Sequence, residues 1–140
     1  MLDVRKDSAM DDTPFGHKKL RIWQKSRVLV REIHAMSLEK LPKFELYEEG
    51  SQIRRSIKSV KTNIVEGFGR RRYKAEYIRY LEFAYASSLE SLDHLETLLD
   101  TGSLQDETLF KQFEESLIDL SKSIYLFIKG VERDHDPDRT

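Results

Sequence analysis

Apolar residues recur at steps of three and four in four separate blocks of this chain, and no block alternates with the two-residue period of a strand. In the first block, about 18–40, Ile22, Ser26, Leu29, Ile33 and Met36 form one stripe, widened by Trp23 and Val30. It stops before Pro42, which disfavours helix in the residue preceding it. The second, about 46–68, carries Ile53, Ile57, Val60, Ile64 and Phe68. The third, about 74–101, carries Tyr77, Leu81, Ala84, Ser88, Leu92, Leu95 and Leu99, and Gly102 is placed to end it. The fourth, about 106–132, opens at Asp106 as a cap and carries Phe110, Phe113, Leu117, Leu120, Ile124, Phe127 and Val131. Helices of such lengths would measure about 30–42 Å. Short connections favour antiparallel neighbours, so the pattern predicts an all-α, up-down-up-down four-helix bundle over 18–132. Residues 1–17 and 133–140 are expected to be flexible tails.

Composition narrows the function classes. The 140 residues contain no cysteine, which removes disulfides, thiolate catalysis and cysteine-ligated metals. No apolar run approaches membrane-spanning length, and the first residues (MLDVRKDSAMDD) lack the apolar core of a secretion signal, so a cytoplasmic protein is expected. The net charge is only −1, but its distribution is uneven. Residues 53–79 hold nine Lys/Arg against two Glu, a balance of +7, while residues 80–140 come to −9. Such asymmetry points either to a basic partner-facing region or to two halves that attract each other.

The second and third blocks each carry a further row. Gln52, Ser56, Ser59 and Asn63 run beside the apolar stripe of block two, where small polar groups permit close helix approach. Opposite lie Arg54, Arg55, Lys58 and Lys61, and Arg70, Arg71, Arg72 and Lys74 carry the positive charge into the following turn. Block three has a second uncharged row, Tyr80, Phe83, Ser87, Ser91, His94 and Leu98. It reads either as a widened core face or as a surface for another subunit, with Tyr80 and Phe83 as anchors.

The run NIVEGFGRRRYKAEY, residues 63–77, invites comparison with phosphate-binding loops. It lacks the Gly-Lys-Ser/Thr ending of a P-loop and the preceding strand of a dinucleotide site. The mechanical reading is that Gly67 or Gly69 takes positive φ and ends the helix while Phe68 plugs the bundle end. Glu45, Glu48 and Glu49 sit where block two begins, favourable to its dipole. Asn63 and Glu66 read as satisfied polar groups near a bundle end. A di-iron site needs Glu-x-x-His on two helices, and the single match, Glu132 to His135, lies in the polar tail. No nucleophile has a base partner. The expectation is a protein without catalytic residues, metal or cofactor.

The segment SQIRRSIKSVKTNIVEGFGRRRYKAEYIRYLEFAYASSLESLDHLETL, with IWQKSRVLV upstream, resembles the bacterial four-helix-bundle family encoded within intervening sequences of large ribosomal RNA genes. The likeness covers about residues 18–130 and is most specific at Ser51-Gln52, Arg54-Arg55, Asn63-Ile64, Glu66-Gly67 and Gly69-Arg70. Relatives often place Ser or Thr before the third helix, where Arg72-Tyr73 stands here. The resemblance implies an antiparallel bundle that assembles as a homopentameric ring. A similar bundle, the accessory protein of diversity-generating retroelements, implies contact with RNA or DNA and with a reverse transcriptase. Two readings follow. In one, Arg54, Arg55, Lys58, Lys61, Arg70, Arg71, Arg72 and Lys74 bind the backbone of RNA or single-stranded DNA. In the other, the protein is a structural or protein-interaction scaffold whose arginines pair with its own acidic helices.

Overall fold

The computed structural model describes residues 15–138. Four helices fill it: α1 (Arg21–Glu39), α2 (Glu49–Gly69), α3 (Lys74–Asp100) and α4 (Glu107–Arg133). Single turns of 3-10 helix, Gly16–Lys19 and Lys43–Leu46, lead into α1 and α2, and there is no strand among the described residues. The expected N-terminal tail through residue 14 lies outside the described residues.

Each helix buries the stripe that its spacing announces. Ile33, Ile53, Ile57, Val60, Ile64, Leu81, Ala84, Leu95, Leu117, Leu120 and Ile124 have no exposed surface. Fully burying a side chain of this kind stabilises the fold by about 1.5–3 kcal/mol. On α3 the buried face is rotated slightly from the expected one: Ser91 and Leu98 are enclosed, whereas Leu92 and Leu99 are half-buried at its edge. The α2 and α4 faces then meet α3 from either side.

The helix starts are secured in different ways. At α4 the Asp106 carboxylate accepts the Leu109 N–H at 3.0 Å, a side-chain cap. At α1 the cap position is Leu20, which forgoes a hydrogen bond and is buried in the core instead. At α2 the cap comes from outside the helix. Glu45, buried in the preceding 3-10 turn, accepts the Gly50 N–H at 2.9 Å and the Ser103 hydroxyl at 2.6 Å. The backbone of that turn runs so close that a Cβ on Gly50 would stand 2.4 Å from the Glu45 carbonyl oxygen. This is also why α2 starts at Glu49, three residues past the expected boundary.

Small polar side chains stitch the helices together. Ser56 and Ser59 of α2 share hydrogen bonds with Ser91 (2.7 Å) and Ser87 (3.0 Å) of α3. Ser121 of α4 donates to Ser88 of α3 at 2.8 Å. Lys25 of α1 donates to Ser123 and pairs with Asp119 of α4, both at 2.8 Å, which closes α1 against α4.

The glycines of the α2–α3 turn act differently from the expectation. Neither Gly67 nor Gly69 has positive φ; the only described residue with positive φ is Gly102, at +80°, beyond α3. Gly67 is instead buried against α3, where a Cβ would lie 3.3 Å from the Tyr80 Cβ. It is a close-approach residue, and the chain turns through Arg70 with ordinary negative φ. Phe68 is buried at this end as expected.

Both chain ends within the described region pack at this same turn. The His17 ring packs edge-on to Trp23 of α1 (5.4 Å between centroids) and to Phe68 of α2 (6.2 Å). Residues 134–138 fold back after α4 and bond to the turn.

Candidate nucleic-acid interface

The eight basic residues singled out in the sequence divide sharply in the structure. Arg54 faces α1 and is occupied: its guanidinium donates to the Ser37 hydroxyl at 2.9 Å and the Leu46 carbonyl at 2.6 Å. Arg70 lies in a carboxylate fork, 3.2 Å from Glu66 and 3.3 Å from Glu76, with its guanidinium 4.8 Å from the Tyr80 ring centroid. Arg71 is buried, 6% exposed, and stacks 3.9 Å from the Phe68 centroid. It donates to the Phe68 carbonyl (2.9 Å) and the Pro137 carbonyl (2.7 Å), so it is not on the open surface that a phosphate would reach. The exposed Lys74 ammonium donates to the Glu132 carbonyl at 2.9 Å.

The other four are uncommitted. Arg55, Lys58, Lys61 and Arg72 make no hydrogen bond or ion pair among the described residues. Arg55, Lys58 and Arg72 are exposed and Lys61 is half-buried. Helical spacing sets Lys58 and Lys61 on adjacent turns from Arg55, so α2 presents these cations along its outward side. Isolated surface cations gain little from intrachain pairing, so this face is available to anions from outside.

The fold adds neighbours that no local pattern in the sequence marked. The N-terminal 3-10 turn brings Lys18 to the same side as Lys61. Burial, then the charges of Lys18 and Lys61, hold the His17 imidazole below its ordinary pKa. Arg27 of α1 lies over the Trp23 ring at 5.5 Å. Lys18 and Lys61 are distant in the chain, and only the packing of the N-terminal turn against α2 brings them together.

The second row on α3, considered as a subunit contact, is mostly spent inside the chain. Ser91 and Leu98 are enclosed and have no surface to offer another copy. Ser87 bonds to Ser59, and His94 pairs with Glu49 of α2. Tyr80 carries the Arg70 guanidinium and packs edge-on to Phe83, which is 43% exposed. The row is therefore largely the α2–α3 seam. Its complement was visible in the sequence, because Ser56, Ser59 and Asn63 on α2 repeat with matching steps.

A different apolar surface is open. A groove of about 450 Å³ between α3 and α4 is lined by Tyr85, Leu89, Leu92, Ile118, Tyr125 and Leu126 among others. No group of three or more acidic or imidazole side chains that could hold a metal ion gathers among the described residues. No helix of the described residues is long and apolar enough to cross a membrane.

An all-α, four-helix protein with a basic outward face on its second helix is the class defined here. The family described as 23S rRNA-intervening sequence protein matches residues 18–126, and the chain belongs to that family. A solved structure from Bacteroides thetaiotaomicron, described as a protein of unknown function from the S23 ribosomal protein family, superposes with a TM-score of 0.65. It is 22% identical, and the match covers 77% of this chain and 95% of that one. No curated protein matches the chain.

Proposed function

We propose that this protein is a non-enzymatic, oligomeric four-helix bundle that binds the backbone of RNA or single-stranded DNA through the outward face of α2 and the turn that follows. One observation carries the reading: Arg55, Lys58, Lys61 and Arg72 lie on α2 and its turn without an acidic partner among the described residues. Clustered, solvated cations release counterions when they meet phosphates, which makes binding favourable without base-specific contacts. The pairs Ser56–Ser91 and Ser59–Ser87 run in opposite directions along α2 and α3, supporting an up-down-up-down order. Membership of the family supports a homopentameric ring, and the open apolar groove between α3 and α4 supplies a surface for self-association. A ring would multiply the α2 charge by its subunit number.

The scaffold reading has its own support. Arg54, Arg70, Arg71 and Lys74 are all engaged within the chain, as expected of cations that serve the fold. A reverse transcriptase or other protein would, on that reading, be the partner. Fluorescence anisotropy with labelled single-stranded RNA and DNA separates the two. The quadruple substitution Arg55→Ala, Lys58→Ala, Lys61→Ala, Arg72→Ala is expected to abolish binding and leave the helical content intact. Wild-type protein that binds neither probe would leave the scaffold reading in place.

A further inference from the structure

Two large aromatic side chains stand at the surface where α2 turns into α3. Phe15, just before the N-terminal 3-10 turn, is 62% exposed, and Tyr73, just before α3, is 65% exposed. Neither ring joins the hydrophobic core. The backbone of both residues serves the fold: the Phe15 carbonyl accepts the Lys18 N–H at 3.0 Å, and the Tyr73 carbonyl accepts the Tyr77 N–H at 2.9 Å. The Tyr73 side chain forms no hydrogen-bonded cap for α3.

One buried residue holds both positions at this end of the bundle. Phe68, at the end of α2, packs edge-on to His17 at 6.2 Å and carries the Arg71 guanidinium at 3.9 Å. Phe15 stands two residues before His17, and Tyr73 two residues after Arg71. Cations adjoin each ring. The Lys18 ammonium lies 5.0 Å from the Phe15 centroid, and the charges of Lys18 and Lys61 both act on the His17 imidazole between them. Arg72, exposed and uncommitted, precedes Tyr73 in the chain.

A lone exposed aromatic calls for no explanation, and the coincidence with cations is what matters. The other end of α2 gives the contrast. Phe44 and Tyr47 are exposed there too, roughly 30 Å away along the 21 residues of that helix, but their exposed neighbours Lys43 and Glu48 offset each other. Cations interleaved with open rings match an unpaired strand: the cations take phosphates, and each ring takes the face of a base. Every base has such a face, so the contact needs no particular sequence.

We propose that Phe15 and Tyr73 are base-stacking platforms at the edge of the α2 face, so that a strand with unpaired bases is held by its bases as well as by its backbone. The inference rests on the nucleic-acid reading above and adds what selects the strand. Phosphates meet Lys18, Lys61 and Arg72, and bases turned out from the strand lie on the two rings. The exposed Lys18–Phe15 contact is weak, and a base that stacks on the ring leaves the ammonium to the adjoining phosphate.

The test uses the full chain with Phe15→Leu and Tyr73→Leu together, which keep apolar side chains and remove the flat faces. Phe44→Leu and Tyr47→Leu make the same change at the far end as a control. All four positions are exposed, so both variants retain the fold. Each protein is titrated by fluorescence anisotropy, over a range of salt, with fluorescein-labelled oligothymidylate and with an abasic strand of the same length. The platform variant is expected to bind oligothymidylate about tenfold more weakly than wild type at an unchanged salt slope, because no cation is removed. Its affinity for the abasic strand is expected to equal that of wild type, and the control to match wild type on both strands. Undiminished affinity of the platform variant for oligothymidylate, or an equal loss on the abasic strand or in the control, overturns the platforms and leaves the α2 face standing. A wild-type protein that binds neither strand overturns the nucleic-acid reading, and the platforms with it.

Discussion

Single residues at the bundle's ends carry more of the structure than their types suggest. Glu45 is a buried carboxylate that caps α2 and binds the α3–α4 connection through Ser103. Hydrogen bonds to a charged group contribute about 1.5–3 kcal/mol, so Glu45→Ala is expected to lower unfolding stability by about that amount in urea denaturation. Gly50→Ala places a methyl group against the Glu45 backbone and is expected to cost more than the ordinary Gly→Ala gain in a helix can offset. An equally stable Gly50→Ala protein would show that the 3-10 turn shifts freely. His17 is depressed in pKa, so its neutral form belongs to the folded state. The unfolded chain therefore binds the proton more readily, and stability falls as pH drops below about 6.5, the ordinary histidine value. His17→Phe is expected to flatten that acid slope, as read from thermal unfolding between neutral and mildly acidic pH.

Among the elements, the α2–α3 seam is the most informative. It is a row of serines with Gly67 at one end, and it lets two backbones approach closely. Ser56 and Ser91 also bond back to their own helix, to the Ile53 and Ser87 carbonyls, so removing one partner leaves the other satisfied. Ser91→Ala is thus expected to cost at most about 1 kcal/mol, whereas Ser91→Leu overpacks the seam and costs about 1–3 kcal/mol. Denaturant midpoints for the two variants check this, and near-equal losses would contradict close packing there. The helices themselves were legible because the apolar period is unbroken: α3 covers Lys74–Asp100 where spacing predicts 74–101, and α4 opens after its Asp106 cap. The rotation of the buried face on α3 was legible only as one of two alternatives: the second row, which includes Ser91 and Leu98, read either as a widened core face or as a subunit surface. Serine at position 91 and leucine at position 92 carry opposite hydropathy cues, and the hydrogen bond to Ser56 decides which one turns inward.

For the whole molecule, the charge asymmetry found in the sequence separates into two kinds of cation. Those at the bundle's edges and end, Arg54, Arg70, Arg71 and Lys74, are held by carbonyls, hydroxyls and carboxylates. Those on the outward side of α2 are not. Composition cannot make this division, because a guanidinium that closes a turn and one that meets a phosphate are the same residue type. Three adjacent arginines make the point: Arg70 pairs with glutamates, Arg71 is buried and Arg72 is exposed with no bond among the described residues.

That division is tested most directly by the salt dependence of single-stranded RNA binding in two triple variants. Arg55→Ala, Lys58→Ala, Arg72→Ala removes uncommitted cations. Arg54→Ala, Arg70→Ala, Arg79→Ala removes the same charge from residues that bond or stack within the chain. For single strands the slope of log affinity against log salt changes by about 0.7 for each phosphate that is no longer neutralised. The first variant is predicted to flatten the wild-type slope by about 2, and the second to leave it close to wild type. Equal flattening in both variants, or a wild-type protein with no salt-dependent binding, would contradict the account.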